Sequence, residues 1–338
     1  MRVIIATAGP PITIADTLIS ISRCVRPGTF QGVTVVENGK KCGVDRICQR
    51  IAKEHQIEIE SLHCPAAGKS NALNFALSRV PEKSLVILTD DDVSVCPEWL
   101  TCYQKAAEEA ADRTFFGGPF RVAQQTPPPQ WLVPYLPGSA KGWDPDPARF
   151  DCRRDLFVGF NWAAWAGDIK RIGGADPRFG AGSIIGANGQ ETQMQMQFFE
   201  AGFRSHLVTS AYVTHLVPES HCSPEFALQR IESVGVFNGI RRSTAANKPT
   251  KISTHIKRWR ERFLRMQCRR HKDYQSDLQD FLVHARHRRI RGFLRGQTHP
   301  DSARIQGPFL TATEKETSAN LLNTSVQKPE NTSCLPAF

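Results

Sequence analysis

Short apolar runs alternate with amphipathic stretches along the first part of the chain. Val3 to Ala8 is an apolar run closed by Gly9-Pro10-Pro11, the pattern of a buried strand that ends in a turn. Ala15, Leu18 and Ile19 recur at helical spacing up to Arg23. Val33 to Val36 is β-branched and runs into Glu37-Asn38-Gly39, a strand leading to a turn. Ala72 to Val80 reads as a helix, Leu85 to Leu88 as another buried strand, and Glu98 to Ala111 as a helix. This alternation predicts an α/β fold over the first ~115 residues: a mostly parallel, doubly wound sheet with helices on both faces.

The middle of the chain changes character. Thr126 to Pro147 is rich in proline and holds Trp131, Tyr135 and Trp143, an irregular loop of the kind that often carries binding residues. Asn161 to Arg171 and Glu191 to Ala201 read as helices, Ala211 to His215 as a strand, and Pro224 to Ile240 as a helix. From Lys251 onward apolar residues recur at Ile256, Trp259, Phe263 and Leu264, then at Leu278, Phe281, Leu282 and Ala285, an amphipathic pattern with an Arg-rich opposite face. After Gly296 the sequence turns polar, and that tail is expected to be disordered. The expected organisation is a domain over residues 1–240, a basic helical extension over 241–295, and a tail over 296–338.

Charge sharpens this division. The 338 residues hold 43 Lys and Arg against 33 Asp and Glu, a net charge of +10 that invites a nucleic-acid or anionic-membrane partner. Between Arg241 and Arg295, however, 17 Lys and Arg face only 4 Asp and Glu, a net of +13, which leaves −3 for the rest. The basicity belongs to the extension. No apolar run approaches the ~20 residues of a bilayer span, and the N-terminal run is too short for a signal peptide, so a cytoplasmic protein is expected. The ten cysteines include no Cys-x-x-Cys pair, which argues against a structural zinc site.

The chemistry concentrates at Asp90-Asp91-Asp92, directly after a predicted buried strand. Open α/β sheets bind ligands at the carboxyl ends of their strands. Three adjacent carboxylates there raise one another's pKa unless a counter-charge is present, and Mg²⁺ or Mn²⁺, which prefers oxygen ligands, supplies one. Side chains two apart in an extended segment point the same way, so Asp90 and Asp92 can face one metal. The alternative for the triplet is a solvated turn capping the next helix.

The chain resembles an inverting family 2 glycosyltransferase of the GT-A (Rossmann-like) fold from Val3 to about Ile240. Five segments in order carry the resemblance: Val35-Val36-Glu37-Asn38-Gly39, Gly68-Lys69-Ser70-Asn71-Ala72-Leu73-Asn74, Leu88-Thr89-Asp90-Asp91-Asp92 with Pro97 downstream, Gly159-Phe160-Asn161, and Ile172-Gly173-Gly174-Ala175-Asp176. The resemblance implies a nucleotide-diphospho-sugar donor, UDP by default, held by Glu37, Lys69, Asp90 and Asp91. It implies Mn²⁺ or Mg²⁺ at Asp90, Asp92 and His215, and an acceptor side with Asn161, Trp162, Gly174 and Asp176. Counting back from Ala201-Gly202-Phe203-Arg204, which resembles the end of the family's base-bearing helix, Glu191 falls at the catalytic base, with Gln190 where the family has an acid. The helix-capping alternative for Glu191 stays open.

Processive members of the family carry Gln-x-x-Arg-Trp and membrane helices. Here the corresponding stretch reads Gln229-Arg230-Ile231-Glu232-Ser233, so a non-processive enzyme acting on a glycan or lipid-linked acceptor is implied, in surface-polysaccharide or glycolipid assembly. Trp131, Trp143, Trp162 and Trp165 lie in the acceptor half, where aromatic faces can stack on sugars, although Trp162 and Trp165 also fit a core. For the basic segment, an anionic membrane surface is favoured over a solvated face, and over nucleic acid because no base-reading module is present. Two other classes compete. A nucleotidyltransferase would carry a basic phosphate loop after the first strand, where this chain has Thr7-Ala8-Gly9-Pro10-Pro11. A catalytically silent scaffold would not need Asp90, Asp92, Glu191 and His215 together.

Overall fold

In the computed structural model, which describes residues 1–244, 251–303 and Phe309, a βα alternation builds a central sheet. The elements are β1 (Arg2–Thr7), α1 (Pro11–Ser22), β2 (Val33–Asn38), α2 (Val44–His55), β3 (Ile59–Cys64), α3 (Lys69–Leu77), β4 (Leu85–Thr89), β5 (Val93–Val95), α4 (Trp99–Glu109), β6 (Thr114–Gly117) and β7 (Phe120–Gln124). After a loop with three short 3-10 turns come β8 (Trp162–Trp165), α5 (Ala166–Arg171), α6 (Gln190–Glu200), β9 (Arg204–Leu207), β10 (Val213–Val217), α7 (Pro224–Thr244), α8 (Lys251–Cys268) and α9 (Leu278–Thr298).

Seven strands form the main sheet in the order β3-β2-β1-β4-β8-β6-β9. All its pairings are parallel except the two made by β8. Alternate residues of one strand serve opposite faces of the sheet. Val3 and Ile5 of β1 and Leu85 and Ile87 of β4 pack into one core, with α1, α2 and α4. Ile4 and Ala6, and Val86 and Leu88, pack into the other, with α3, α5 and α6. Burial on both faces is why these strands read as unbroken apolar runs. A second sheet, β5-β10-β7, places β10 beside the turn that follows β4.

One expectation changes. Within the helix expected from Asn161 to Arg171, Trp162–Trp165 is strand β8, because its tryptophans and alanines fill the antiparallel slot between β4 and β6. The boundary expected at 240 falls within α7, and the basic extension packs against that helix. Helix α9 runs parallel to α7 with the backbones in direct contact: a Cβ added at Gly235 or Gly239 would lie 2.5 or 2.2 Å from a carbonyl oxygen of α9, and one at Gly292 or Gly296 would lie 2.1 Å from one of α7. Phe281 and Ala285 of α9 close a small core with Leu132, Leu136, Val217 and Leu228. Of the tail expected from 296, residues through Thr298 still belong to α9, and 304–338 other than Phe309 lie outside the described residues.

Candidate active site

The carboxyl ends of β1, β2 and β4 face the opening turns of α3 and α6, and the expected donor-side and base residues sit there. Asp90, Asp91 and Asp92 leave β4, His215 comes across on β10 opposite Val93, Lys69 opens α3, and Glu191 stands in the first turn of α6. Each aspartate finds a different partner. Lys69 Nζ donates to Asp90, Thr7 Oγ1 donates to Asp91, and His215 Nε2 lies 3.3 Å from Asp92 Oδ2.

These environments split the three carboxyls. Burial pushes Asp91 up, its Thr7 bond offsets only part of this, and it rests at about 6. Burial also raises Asp90, against the pull of Lys69 and helped by Asp92. Asp92 goes the other way: burial would raise it, but the hydrogen bond and charge of His215, with Lys69, hold it below the usual range. His215 responds in kind. Burial alone would lower it, and Asp92 and the Ser139 carbonyl lift it above its ordinary value. For Lys69, burial is outweighed by Asp90, Glu191 and Asp92, so the ammonium is held more firmly than usual.

A metal fits part of this set. His215 Nδ1 donates to the Ser139 carbonyl at 2.8 Å, which leaves Nε2 to face Asp92, and the ring stacks on Phe160 at 4.6 Å. Asp92 Oδ1 is buried with no hydrogen-bond partner among the described residues. An oriented imidazole nitrogen beside an unsatisfied carboxylate oxygen is a donor pair suited to a divalent cation. Asp90, expected as a third ligand, is turned to Lys69 instead, because a largely buried carboxylate needs the nearest counter-charge. Among the described residues no three His, Cys, Asp or Glu side chains converge on one metal position.

Glu191 is half-buried, packs over Gly159, and makes no hydrogen bond among the described residues. A Cβ on Gly159 would lie 3.0 Å from Glu191 Cδ, so this glycine makes room for the carboxylate. Two cations act on Glu191: Lys69 on one element and Arg230 of α7 on another. Arg230 is the residue the sequence reading passed over. It falls on an unspecified position of Gln-x-x-Arg-Trp, with nothing local to place it near Glu191. Burial lowers its pKa, and Glu191 opposes that. Glu37, expected at the nucleotide, is buried and accepts the backbone N–H of Cys42, bracing the turn after β2.

The expected acceptor residues lie within the packed structure. Asn161 is fully buried; its Oδ1 accepts from Trp99 Nε1 at 2.9 Å and Tyr103 Oη at 2.8 Å, and its Nδ2 donates to the carbonyls of Pro119 and Ala211. Trp162 is a core residue against Phe198. Asp176 is buried in an ion pair with Arg178, whose Nη1 also donates to the Ser302 carbonyl at 2.6 Å. Gly174, at φ +74°, is covered by Asn74 and Phe309. A polar residue in a buried strand or turn satisfies backbone and indole groups, as the side chains of Asn161 and Asp176 do here. Trp131 and Trp143 are half-buried; Trp131 packs edge-on to Phe281 and Trp143 lies against Phe150 and Phe157.

The protein-family model for glycosyl transferase family 2 matches residues 3–154. No curated protein matches the chain. Among solved structures it is similar to mannosyltransferase PcManGT from Pyrobaculum calidifontis in complex with GDP-Man and Mn²⁺, at 18% identity over 69% of this chain and 61% of that one, with a TM-score of 0.49. It is similar to GalNAc-T7 with UDP, GalNAc and Mn²⁺ at 12% identity, over 70% of this chain and 47% of that one, with a TM-score of 0.49. S. aureus TarS 1-349 in complex with UDP aligns at 15% identity over 88% of this chain and 89% of that one, with a TM-score of 0.45. The chain spans less than two thirds of the first two proteins' length.

Proposed function

Residues 3–154 make this chain a glycosyltransferase of family 2, and from that premise we propose that it moves one sugar from a nucleotide-diphospho-sugar, by default UDP-linked, to a hydroxyl of a glycan or lipid-linked acceptor, with inversion at the transferred carbon. The observation that carries this reading is the meeting of Lys69, Asp92, His215, Glu191 and Arg230 at one end of the sheet, two cations and two carboxylates around an oriented imidazole.

Glu191 acts as general base. Its carboxylate takes the acceptor hydroxyl's proton while the acceptor oxygen bonds to the anomeric carbon and the bond to the leaving diphosphate breaks on the opposite face. Among the described residues Glu191 has no hydrogen bond to give up before it accepts that proton. Lys69 and Arg230 put fixed positive charge beside the same space, where it stabilises the diphosphate as it leaves. Asp92 and His215 would hold Mn²⁺ or Mg²⁺, which when bound supplies further neutralisation of the diphosphate. No helix among the described residues is long and apolar enough to cross a membrane. Ser233, where Gln-x-x-Arg-Trp has its Trp, supports one transfer per encounter.

The test uses a nucleotide-sugar panel scored for release of the nucleotide diphosphate. Glu191→Gln should lose transfer by about 10²–10⁴-fold while nucleotide binding by calorimetry is unchanged. Asp92→Asn should lose the thermal stabilisation that Mn²⁺ gives the wild-type protein. Transfer at the wild-type rate by Glu191→Gln would sink the base assignment, and an unaltered Mn²⁺ shift in Asp92→Asn would sink the metal site.

A further inference from the structure

Helix α8 has two faces that differ in what they touch. On the inner face Lys257 lies over the Phe293 ring of α9 at 4.2 Å, and Glu261 accepts from His287 Nε2 at 3.0 Å. About 150° around the axis, at ~100° per residue, stand Ile256, Trp259, Phe263 and Met266. Their spacing of three, four and three residues makes one continuous stripe, and they are 55%, 66%, 44% and 60% exposed. Single exposed apolar residues are ordinary on a protein surface, but a stripe of four marks a contact surface. Trp259 and Phe263 stack with centroids 5.9 Å apart and planes 5° from parallel, a flat aromatic platform.

The charge around this stripe selects its partner. Arg258, Arg260, Arg262 and Arg265 are exposed on its flanks and pair with no acidic side chain among the described residues. The only carboxylate of α8, Glu261, is turned inward. Three of the five arginines of α9 are used differently: Arg288, Arg291 and Arg295 meet Glu232 of α7, while Arg286 and Arg289 are exposed. Four of the extension's exposed cations therefore flank the apolar stripe, with others at Arg269, Arg270, Lys272, Arg286 and Arg289.

We propose that α8 is a docking helix for an anionic lipid surface, with Trp259 and Phe263 entering the headgroup–acyl boundary and the flanking arginines meeting lipid phosphates and carboxylates. A bilayer interface accepts both halves of this face, whereas nucleic acid would leave the apolar stripe in water. A second copy of the chain fits less well, because a symmetric contact would set unpaired arginines against arginines. The segment 304–338 has three basic and three acidic residues, so it brings no net charge to complement the helix.

The experiment is co-sedimentation of the full chain, without donor or metal, with phosphatidylcholine vesicles and with vesicles of roughly one third phosphatidylserine. Omitting donor and metal keeps a failure here separate from a failure of the transferase reading. Binding to the anionic vesicles should be at least ~10-fold tighter, should weaken as salt screens it, and should be lost in Trp259→Glu/Phe263→Glu, whose circular dichroism should match wild type because both side chains are exposed. Equal binding to both vesicles, no binding to either, or undiminished binding by the double variant would overturn the proposal. So would a dimer that the double variant dissociates while no vesicle binding is seen, which would make the partner a second copy. Vesicle binding that emerges only after deletion of 304–338 would overturn it too, by showing that this segment covers the stripe.

Discussion

Replacing Glu232 by Gln tests the joint between α7 and α9. The Glu232 side chain is 6% exposed and accepts from Arg288 Nη1 at 3.0 Å, Arg291 Nε at 3.0 Å and Arg295 Nη1 at 3.3 Å. Burial pushes its pKa up, but the hydrogen bonds and charges of Arg291 and Arg288 outweigh that and hold it below the ordinary 4.5. Removing one partner of a fully buried ion pair costs about 3–5 kcal/mol. Here the arginine side chains are 24%, 45% and 46% exposed, so water recovers part of the loss. A loss of about 2 kcal/mol is expected, in the range of charged hydrogen bonds. With an unfolding entropy of about 0.7 kcal/mol/K for a chain of 338 residues, Tm should fall by ~3 °C near pH 7. A carboxyl whose pKa is depressed on folding contributes stability above its unfolded pKa and loses it as pH falls through the folded value. The gap between wild type and Glu232→Gln, measured by scanning calorimetry, should therefore close as pH drops below about 4.5. Equal Tm values at neutral pH, or a gap that persists unchanged into acid, would refute the reasoning.

Asn161→Ala should lower Tm by several degrees, since it leaves the Trp99 N–H, the Tyr103 O–H and two carbonyls without their partner at about 1–3 kcal/mol each before relaxation; the KM for acceptor, measured on the folded enzyme, should stay at its wild-type value. An acceptor-binding role would instead raise KM with little change in Tm. Gly292→Ala gains about 1 kcal/mol in helix propensity but places its Cβ 2.1 Å from the Glu232 carbonyl oxygen, so thermal scanning should show a net loss of about 1–3 kcal/mol. Gly28→Ala, where a Cβ meets nothing within 4 Å, is the control and should leave Tm unchanged.

The inner strands were legible because they are buried on both faces, so β1, β2 and β4 announce themselves as apolar runs. The sheet edge was not: β3 runs Ile59-Glu60-Ser61-Leu62-His63-Cys64, with only Cys64 buried, and α2 buries only Val44, Cys48 and Ile51. The site divided along similar lines. Carboxylates and a histidine at strand ends are rare enough to point to chemistry, and Lys69, Asp92, His215 and Glu191 do come together. The buried bonds of Asn161 and Asp176 were not legible, because a side chain that binds a ligand and one that satisfies buried groups are the same residue in a sequence. Arg230 was hidden for the opposite reason. Its position depends on how α7 lies against the sheet, which no local pattern encodes. The glycines of α7 and α9 carry no hydrophobic signal, yet they set the distance between the two helices.

That contact bears on how far the molecule can be divided. The matched segment stops at 154, and a boundary drawn from the sequence falls at 240. Neither is a place where the structure comes apart. A piece ending at 240 would leave the Glu232 carboxylate without its three guanidinium partners and expose the backbone that Gly235 and Gly239 lay bare. It would also strip Arg178 of the Ser302 carbonyl. A piece that keeps these contacts together with Arg230 beside Glu191 extends through Ser302. The matched segment is shorter than the span these contacts tie together.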